Sequence, residues 1–145
     1  MPLPAKGAVD GDGPIFEVHD GGIRRFAVPY PHGRVALTFD DGPGPYTRQI
    51  LDELVALHVH ATFFVVGENV KLAPGTVRLL RDAGMVVGNH SWSHPRMTRL
   101  GLARQRAQIR RTQDLLEQTI GQRPRFFRPP MWLWNRTTAR AVAEE

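Results

Sequence analysis

Apolar and polar positions alternate along this chain in blocks that predict strands followed by amphipathic helices. The continuous apolar run 61–66, which Gly67 ends, is typical of a strand that is buried on both faces of a parallel sheet. In 102–120, apolar residues recur at helical spacing before Gly121, and this pattern predicts the longest helix. Other apolar runs predict further short strands at 35–37, 85–88 and 125–127. The strand at 35–37 is expected to be buried.

Helices are predicted between these strands by capping residues and apolar stripes. Thr47 is a candidate N-cap for a helix after the first strand, and Asn135 is a candidate N-cap for a last helix over 136–145. A further helix is predicted over about 75–83. The alternation of strands and helices predicts a parallel α/β sheet or barrel, in which functional sites lie at the carboxyl ends of the strands.

The first 33 residues are predicted to precede the main domain, which covers 34–145. Residues 1–14 are rich in glycine, proline and aspartate and contain no apolar core. We therefore interpret them as a flexible leader and not as a signal peptide. Residues 15–18 and 23–28 flank two glycines, a pattern that predicts a short β-hairpin.

The composition restricts the class of protein. The chain has 145 residues, of which 41% are hydrophobic, and it has no apolar stretch long enough to span a bilayer, so we expect a globular domain without a transmembrane segment. The absence of cysteine excludes disulfides and thiolate chemistry. Segment 96–140 contains eleven arginines, no lysine and two acidic residues, a net charge of +9. We interpret it as a solvated helix face, with binding of an anionic polymer as the alternative. Nucleic acid is not expected as a partner, because no stacking aromatic residue is interleaved with the basic ones from Arg96 to Arg125.

Two adjacent carboxylates, Asp40 and Asp41, follow the first apolar run within the stretch Thr-Phe-Asp-Asp-Gly at 38–42. Adjacent acids at the end of a strand repel each other, and a bound cation is the usual compensation. On these residues alone, formation of a turn by Asp-Asp-Gly is an equally good interpretation.

Two further motifs follow predicted strands. His90 and His94 stand four residues apart, so one helical turn would bring both imidazoles to a single metal ion. An isolated pair of this kind is a weak signal, but its position at a strand end, like that of the Asp pair, strengthens it. Arg128 precedes two prolines that hold the backbone rigid, and it is either a partner for a carboxylate or an ordinary surface residue.

Taken together and in this order, these residues resemble the polysaccharide deacetylase family, also called the NodB-homology or carbohydrate esterase 4 family. The matching motifs are 38–42, 90–94 and 127–130, and the strand 61–67 is a fourth match. The resemblance implies a distorted (β/α) barrel and the hydrolysis of N- or O-acetyl groups from a polysaccharide such as peptidoglycan or a chitin-like oligomer, through a water that a metal activates. It also implies an acetylated glycan as partner and a location in the cell envelope or outside the cell.

The resemblance implies a role for each motif residue. Asp41, His90 and His94 would bind a divalent metal, with zinc expected and cobalt, nickel or manganese as alternatives. Asp40 would be the general base, and Arg128 would hold its carboxylate.

Three more residues are expected to face the substrate. The backbone N–H of Met131 would stabilise the oxyanion, a role that does not depend on its side chain. Trp92 would either line a sugar-binding groove or cover the core. Trp132 stands where the family usually has glycine, and it would either narrow the glycan site or serve as a platform for a sugar ring.

Two later motifs of the family, an Asp-plus-Trp motif and a Leu-x-His motif that supplies the general acid, are not found in this sequence. We therefore expect an incomplete barrel that lacks its C-terminal strands and that another chain could complete. The alternative function is that of a catalytically impaired or inactive glycan-binding remnant of the same fold.

Overall fold

A computed structural model of the protein describes residues 15–19, 22–26 and 36–145. Strands β1 (Ile15–His19) and β2 (Gly22–Phe26) pair antiparallel, with Ile15 opposite Phe26, as the predicted hairpin requires. The interpretation of residues 1–14 as a leader concerns residues outside the described ones.

The second sheet has three parallel strands in the order β3 (Thr38–Gly42), β4 (Thr62–Val65) and β5 (Val86–Asn89). Neighbours in the sheet are also neighbours in the chain and are separated by helices, which is the α/β arrangement of a barrel. The predicted strand at 125–127 is reduced to one parallel bridge between Phe127 and Asn89. The prolines that flank this segment donate no hydrogen bond to a ladder, so pairing does not extend further.

Five α-helices lie between residues 36 and 145. The pattern of apolar residues does not predict the second of them, because six residues are too few to show a helical period. The helices are α1 (Thr47–Ala56), α2 (Gly67–Leu72), α3 (Pro74–Asp82), α4 (Leu102–Ile120) and α5 (Arg136–Ala143).

The ends of three helices test the capping predictions. Gly121 ends α4 in a left-handed conformation with φ 70°, as glycine at this position allows. The side chain of Asn135 accepts a hydrogen bond from the Thr138 amide and caps α5, as predicted. Thr47 is the first residue of α1 and not its N-cap. Its hydroxyl accepts a hydrogen bond from the Gly44 amide at 2.8 Å and so braces the preceding turn.

The prediction of a buried strand at 35–37 is wrong for the two residues of that run that the structure describes. Ala36 and Leu37 are exposed, Leu37 to 44%, and β3 begins only at Thr38. Among the described residues β3 pairs with β4 alone, so it is an edge strand and only part of its surface is covered. An apolar run shows that a segment favours burial, but not whether a neighbouring strand lies on both sides of it.

The main core lies between this sheet and helices α1, α3 and α4. Phe63 of β4 is 2% exposed and Val65 is fully buried, as predicted for a central strand. Leu80 of α3 and Leu116 of α4 belong to the same cluster. No helix within the described residues combines the length and the apolar character needed to cross a membrane.

Ion pairs join α4 to the end of α5. The Glu145 carboxylate accepts hydrogen bonds from Arg106 Nε and from Arg110 Nε, each at 2.7 Å. Burial alone would raise the pKa of Glu145, but the hydrogen bonds from Arg110 and Arg106 outweigh it and hold that pKa below its usual range. Within 96–140, acidic partners lie beside at least five of the eleven arginines, namely Arg106, Arg110, Arg123, Arg128 and Arg140.

Helix α2 makes a close contact with the loop that follows β5. The amides of Gly67 and Glu68 donate hydrogen bonds to the carbonyls of Ser91 and Trp92, at 3.0 and 2.9 Å. A Cβ atom at Gly67 would lie only 2.5 Å from Trp92 Cε3 and 2.7 Å from Thr112 Oγ1. Trp92 and Thr112 are both buried and cannot move aside freely, so this contact requires glycine.

We expect the substitution Gly67→Ala to lower the free energy of unfolding by about 1–3 kcal/mol, because the added methyl overpacks a filled site. Urea denaturation of both proteins measures the change. The control is Gly44→Ala, because a Cβ at Gly44 meets no atom within 4 Å. Equal stability of the Gly67 and Gly44 variants would contradict the close contact.

Candidate metal centre

Three side chains converge at the carboxyl ends of β3 and β5. Asp41 Oδ1 lies 3.1 Å from His94 Nε2 and 3.4 Å from His90 Nε2. One ligand atom from each residue lies within 4.8 Å of the other two. The structure thus brings together the three residues that the sequence suggests as metal ligands.

The donor set fits a divalent metal of the zinc type. Zinc binds imidazole nitrogen and carboxylate oxygen at about 2.0–2.1 Å in a tetrahedron, so two of its ligand atoms lie about 3.3 Å apart. The distances from Asp41 to both imidazoles match this spacing. Three protein ligands leave coordination positions for water or substrate, which is the pattern of catalytic and not of structural zinc sites.

His90 is held in the state that a metal ligand needs. Its Nδ1 lies 2.7 Å from the Arg128 carbonyl oxygen, which can only accept, so Nδ1 carries the proton and Nε2 keeps its lone pair. The side chain is 2% exposed. Burial lowers the pKa of His90, and the Arg128 carbonyl and the nearby carboxylates Asp40 and Asp41 offset this only in part. Burial therefore favours the neutral form of the imidazole.

The expectation that His90 and His94 share a helical turn is wrong. The loop after β5 contains no helix before Met97, and Ser91 and His94 have left-handed backbone conformations with φ 71° and 54°. The chain folds back so that the two rings lie 5.1 Å apart between their centres. The Ser91 hydroxyl accepts a hydrogen bond from the His94 amide at 3.2 Å and so braces this bend.

Two polar residues that the motifs did not indicate hold the histidine loop. Asn89 is 1% exposed; its side-chain amide donates to the Ile109 carbonyl at 2.9 Å, and its Oδ1 accepts from the Ser91 amide at 2.8 Å. Gln108 of α4 accepts hydrogen bonds from the amides of Trp92 and Ser93, both at 2.9 Å. A polar residue at the end of an otherwise apolar strand was the only sequence signal for Asn89.

A second pair lies beside this group. Arg128 Nη1 donates to Asp40 Oδ1 at 2.7 Å and to Thr38 Oγ1 at 2.9 Å. The Arg128 side chain is only 15% exposed, so the alternative of an ordinary surface arginine is wrong. Its guanidinium carbon lies 4.1 Å from the centre of the Phe64 ring and 4.3 Å from that of Trp132. Thr38 and Phe64 lie within the matching segments 38–42 and 61–67, but the sequence assigned neither of them a contact with Arg128.

The three residues expected to face a substrate differ in exposure. Met131 and Trp132 lie in the 3-10 turn Pro130–Trp132, have φ of 57° and 58°, and are 52% and 67% exposed. Trp92 is only 8% exposed, and the Arg111 guanidinium lies 3.6 Å from its ring centre. A sugar-lining role for Trp92 is therefore wrong, because its ring covers the core and offers almost no surface.

Comparisons with known proteins agree on one family. The family model described as polysaccharide deacetylase matches residues 27–145. A peptidoglycan-N-acetylmuramic acid deacetylase of Bacillus subtilis is 53% identical over 98 residues, which are 66% of this chain and 21% of that protein. A peptidoglycan-N-acetylglucosamine deacetylase of Bacillus cereus is 43% identical over 106 residues, which are 72% of this chain and 38% of that protein.

A solved structure gives the same result. A family 4 carbohydrate esterase from Streptomyces lividans, determined in complex with acetate, superposes with a TM-score of 0.75 at 42% identity. The match covers 78% of this chain and 59% of that one. The chain therefore spans less than two thirds of the length of each of these three relatives.

We expect Asn89→Ala to lower the free energy of unfolding by about 1–3 kcal/mol, since a buried carbonyl and a buried amide lose their partner. It should also weaken zinc binding by about 10–100-fold, because the loop that carries both histidines loses a support. Urea denaturation and zinc titration measure the two effects. The exposed Gln118→Ala on α4 is the control and should change neither. Lower stability with unchanged zinc affinity would show that Asn89 supports the fold but not the loop.

Proposed function

Because this chain belongs to the polysaccharide deacetylase family, we propose that it hydrolyses acetyl groups from an N-acetylhexosamine polymer such as peptidoglycan or a chitin-like oligomer. One observation carries the proposal: the Asp41, His90 and His94 group lies beside the Asp40–Arg128 pair at a single edge of the sheet. The names of the relatives support an N-acetyl substrate, with O-acetyl groups as the alternative. They also support an action at the cell envelope or outside the cell.

Asp41, His90 and His94 hold the metal in this proposal. The two imidazoles and the carboxylate favour zinc, and cobalt, nickel or manganese are alternatives with similar ligand preferences. A divalent ion bound here would acidify water and polarise the acetyl carbonyl. Asn69 orients the first ligand, because its side-chain amide donates to the Asp41 carbonyl at 2.8 Å.

Asp40 is the general base. Asp40 belongs to β3 and directly precedes Asp41. Its carboxylate would therefore be within reach of a water at the same edge of the sheet. Arg128 and its permanent positive charge hold one carboxylate oxygen, and the second oxygen can take the proton of the attacking water. The Thr38 hydroxyl also binds Arg128 and so fixes the direction of the guanidinium.

The backbone N–H of Met131 stabilises the negative charge that develops on the acetyl oxygen. Two prolines precede Met131 and restrict the turn, so the direction of the amide is set before the substrate binds. The departing amine of an N-acetyl group needs a proton, whereas the alkoxide of an O-acetyl group can take one from solvent. Comparing both kinds of substrate therefore reveals how well this chain supplies that proton.

We expect one zinc ion per purified chain and release of acetate from N-acetylglucosamine oligomers. Both should be lost in Asp41→Ala and in His94→Ala, because each substitution removes one of three ligands. Metal analysis and an acetate assay on the same samples measure this, and a chelator followed by zinc should remove and restore activity. His58→Ala is the control, since His58 is an exposed histidine outside the group.

The outcomes separate the proposal from its alternatives. Zinc retained in both ligand variants would contradict the metal centre. Stoichiometric zinc and binding of the oligomer without any acetate release would instead establish an inactive glycan-binding remnant.

We expect Asp40→Asn to reduce acetate release by about 10²–10⁴-fold while one zinc per chain remains, because the amide cannot accept the proton of the water. Steady-state kinetics and metal analysis measure the two quantities. Asp52→Asn removes an exposed carboxylate that pairs with Arg48 on α1, and it should leave both unchanged. Loss of zinc together with activity in Asp40→Asn would assign Asp40 to the metal and not to the proton transfer.

A further inference from the structure

Trp132 combines exposure with an unfavourable backbone conformation. Its side chain is 67% exposed, and its φ of 58° follows a φ of 57° at Met131. Bulky residues rarely adopt this left-handed region, and glycine adopts it freely. Burial of the indole does not offset this cost, because most of the indole is in contact with solvent. Strain in a large exposed apolar residue beside a candidate site points to contact with a ligand.

The Trp132 ring is held in place by a side chain of the site. The Arg128 guanidinium carbon lies 4.3 Å from the ring centre, a distance at which the cation attracts the ring. That guanidinium is itself fixed by Asp40 and Thr38 and lies over Phe64. The indole is therefore oriented before any ligand arrives, and most of its surface remains exposed to solvent beside the Arg128–Asp40 pair.

The chemistry of this surface fits a sugar ring. A pyranose ring with equatorial substituents has an apolar face of C–H groups, and an indole is the largest aromatic surface that a side chain can offer to it. We propose that Trp132 is the platform on which a pyranose ring of the N-acetylhexosamine polymer stacks. It thereby selects a chain of sugars over an isolated acetyl group. This inference rests on the proposed function and adds to it how the polymer is bound.

The test compares Trp132→Gly with Trp132→Phe in the full chain. Glycine suits a φ of 58°, so the turn should persist while the ring is lost, and phenylalanine keeps an aromatic face. Isothermal titration with the N-acetylglucosamine tetramer, in an Asp40→Asn background that slows turnover, measures affinity. We expect Trp132→Gly to bind about tenfold more weakly and Trp132→Phe to stay within about threefold of the parent. The zinc content should be equal in all three.

Two results would overturn the proposal, and a third would separate it from the proposed function. Equal affinity in Trp132→Gly and its parent would exclude a platform. A Trp132→Gly enzyme with an unchanged KM, a lower kcat and an altered pH profile would show that the ring only positions Arg128. If the tetramer binds to the parent and tenfold more weakly to Trp132→Gly, yet neither the wild-type chain nor Trp132→Phe releases acetate, the platform stands and the deacetylase function fails.

Discussion

The hydrogen bonds of Arg128 connect the two halves of the candidate site. Its amide donates to the Asn89 carbonyl at 3.0 Å, and its own carbonyl accepts from His90 Nδ1 at 2.7 Å. Its guanidinium binds Asp40 at 2.7 Å. A shift of this one residue would disturb a proposed metal ligand, His90, and the proposed general base, Asp40, together. The two prolines that follow limit such a shift, so the geometry of the site depends on how firmly this segment docks against β5.

The second constraint is the backbone around the three proposed ligands. Asp41, Ser91 and His94 all have left-handed conformations, with φ of 66°, 71° and 54°. Each such conformation costs about 1–3 kcal/mol in a residue other than glycine. Hydrogen bonds from the loop amides to the side-chain oxygens of Asn89 and Gln108, each worth about 0.5–1.5 kcal/mol, hold the bend in place. Helix α4 therefore supports the histidine loop although it supplies no ligand to it.

Local patterns were reliable where short-range contacts decide the structure. The start of α5 follows from the side chain of Asn135 and the end of α4 from Gly121, because a cap involves only residues a few positions apart. The sequence predicted the burial of individual side chains less well. Leu37 is as apolar as the residues of β4 but lies exposed next to an edge strand. Trp92 and Trp132 are the same residue type, yet one is 8% and the other 67% exposed.

By itself, the sequence determined which residue types stand where strands end: a carboxylate pair, two histidines four positions apart, and an arginine before two prolines. Residue types and spacings of this kind are local, so a single chain displays them fully. The family resemblance implied that Arg128 would hold the carboxylate of Asp40, and the structure places the two side chains 2.7 Å apart across 88 positions. Only the tertiary structure decided that a bent loop and not a helix brings His90 to His94, and that Trp132 lies over Arg128. These contacts depend on how the sheet, α2 and α4 pack together, and packing between distant segments leaves no periodic trace in one sequence.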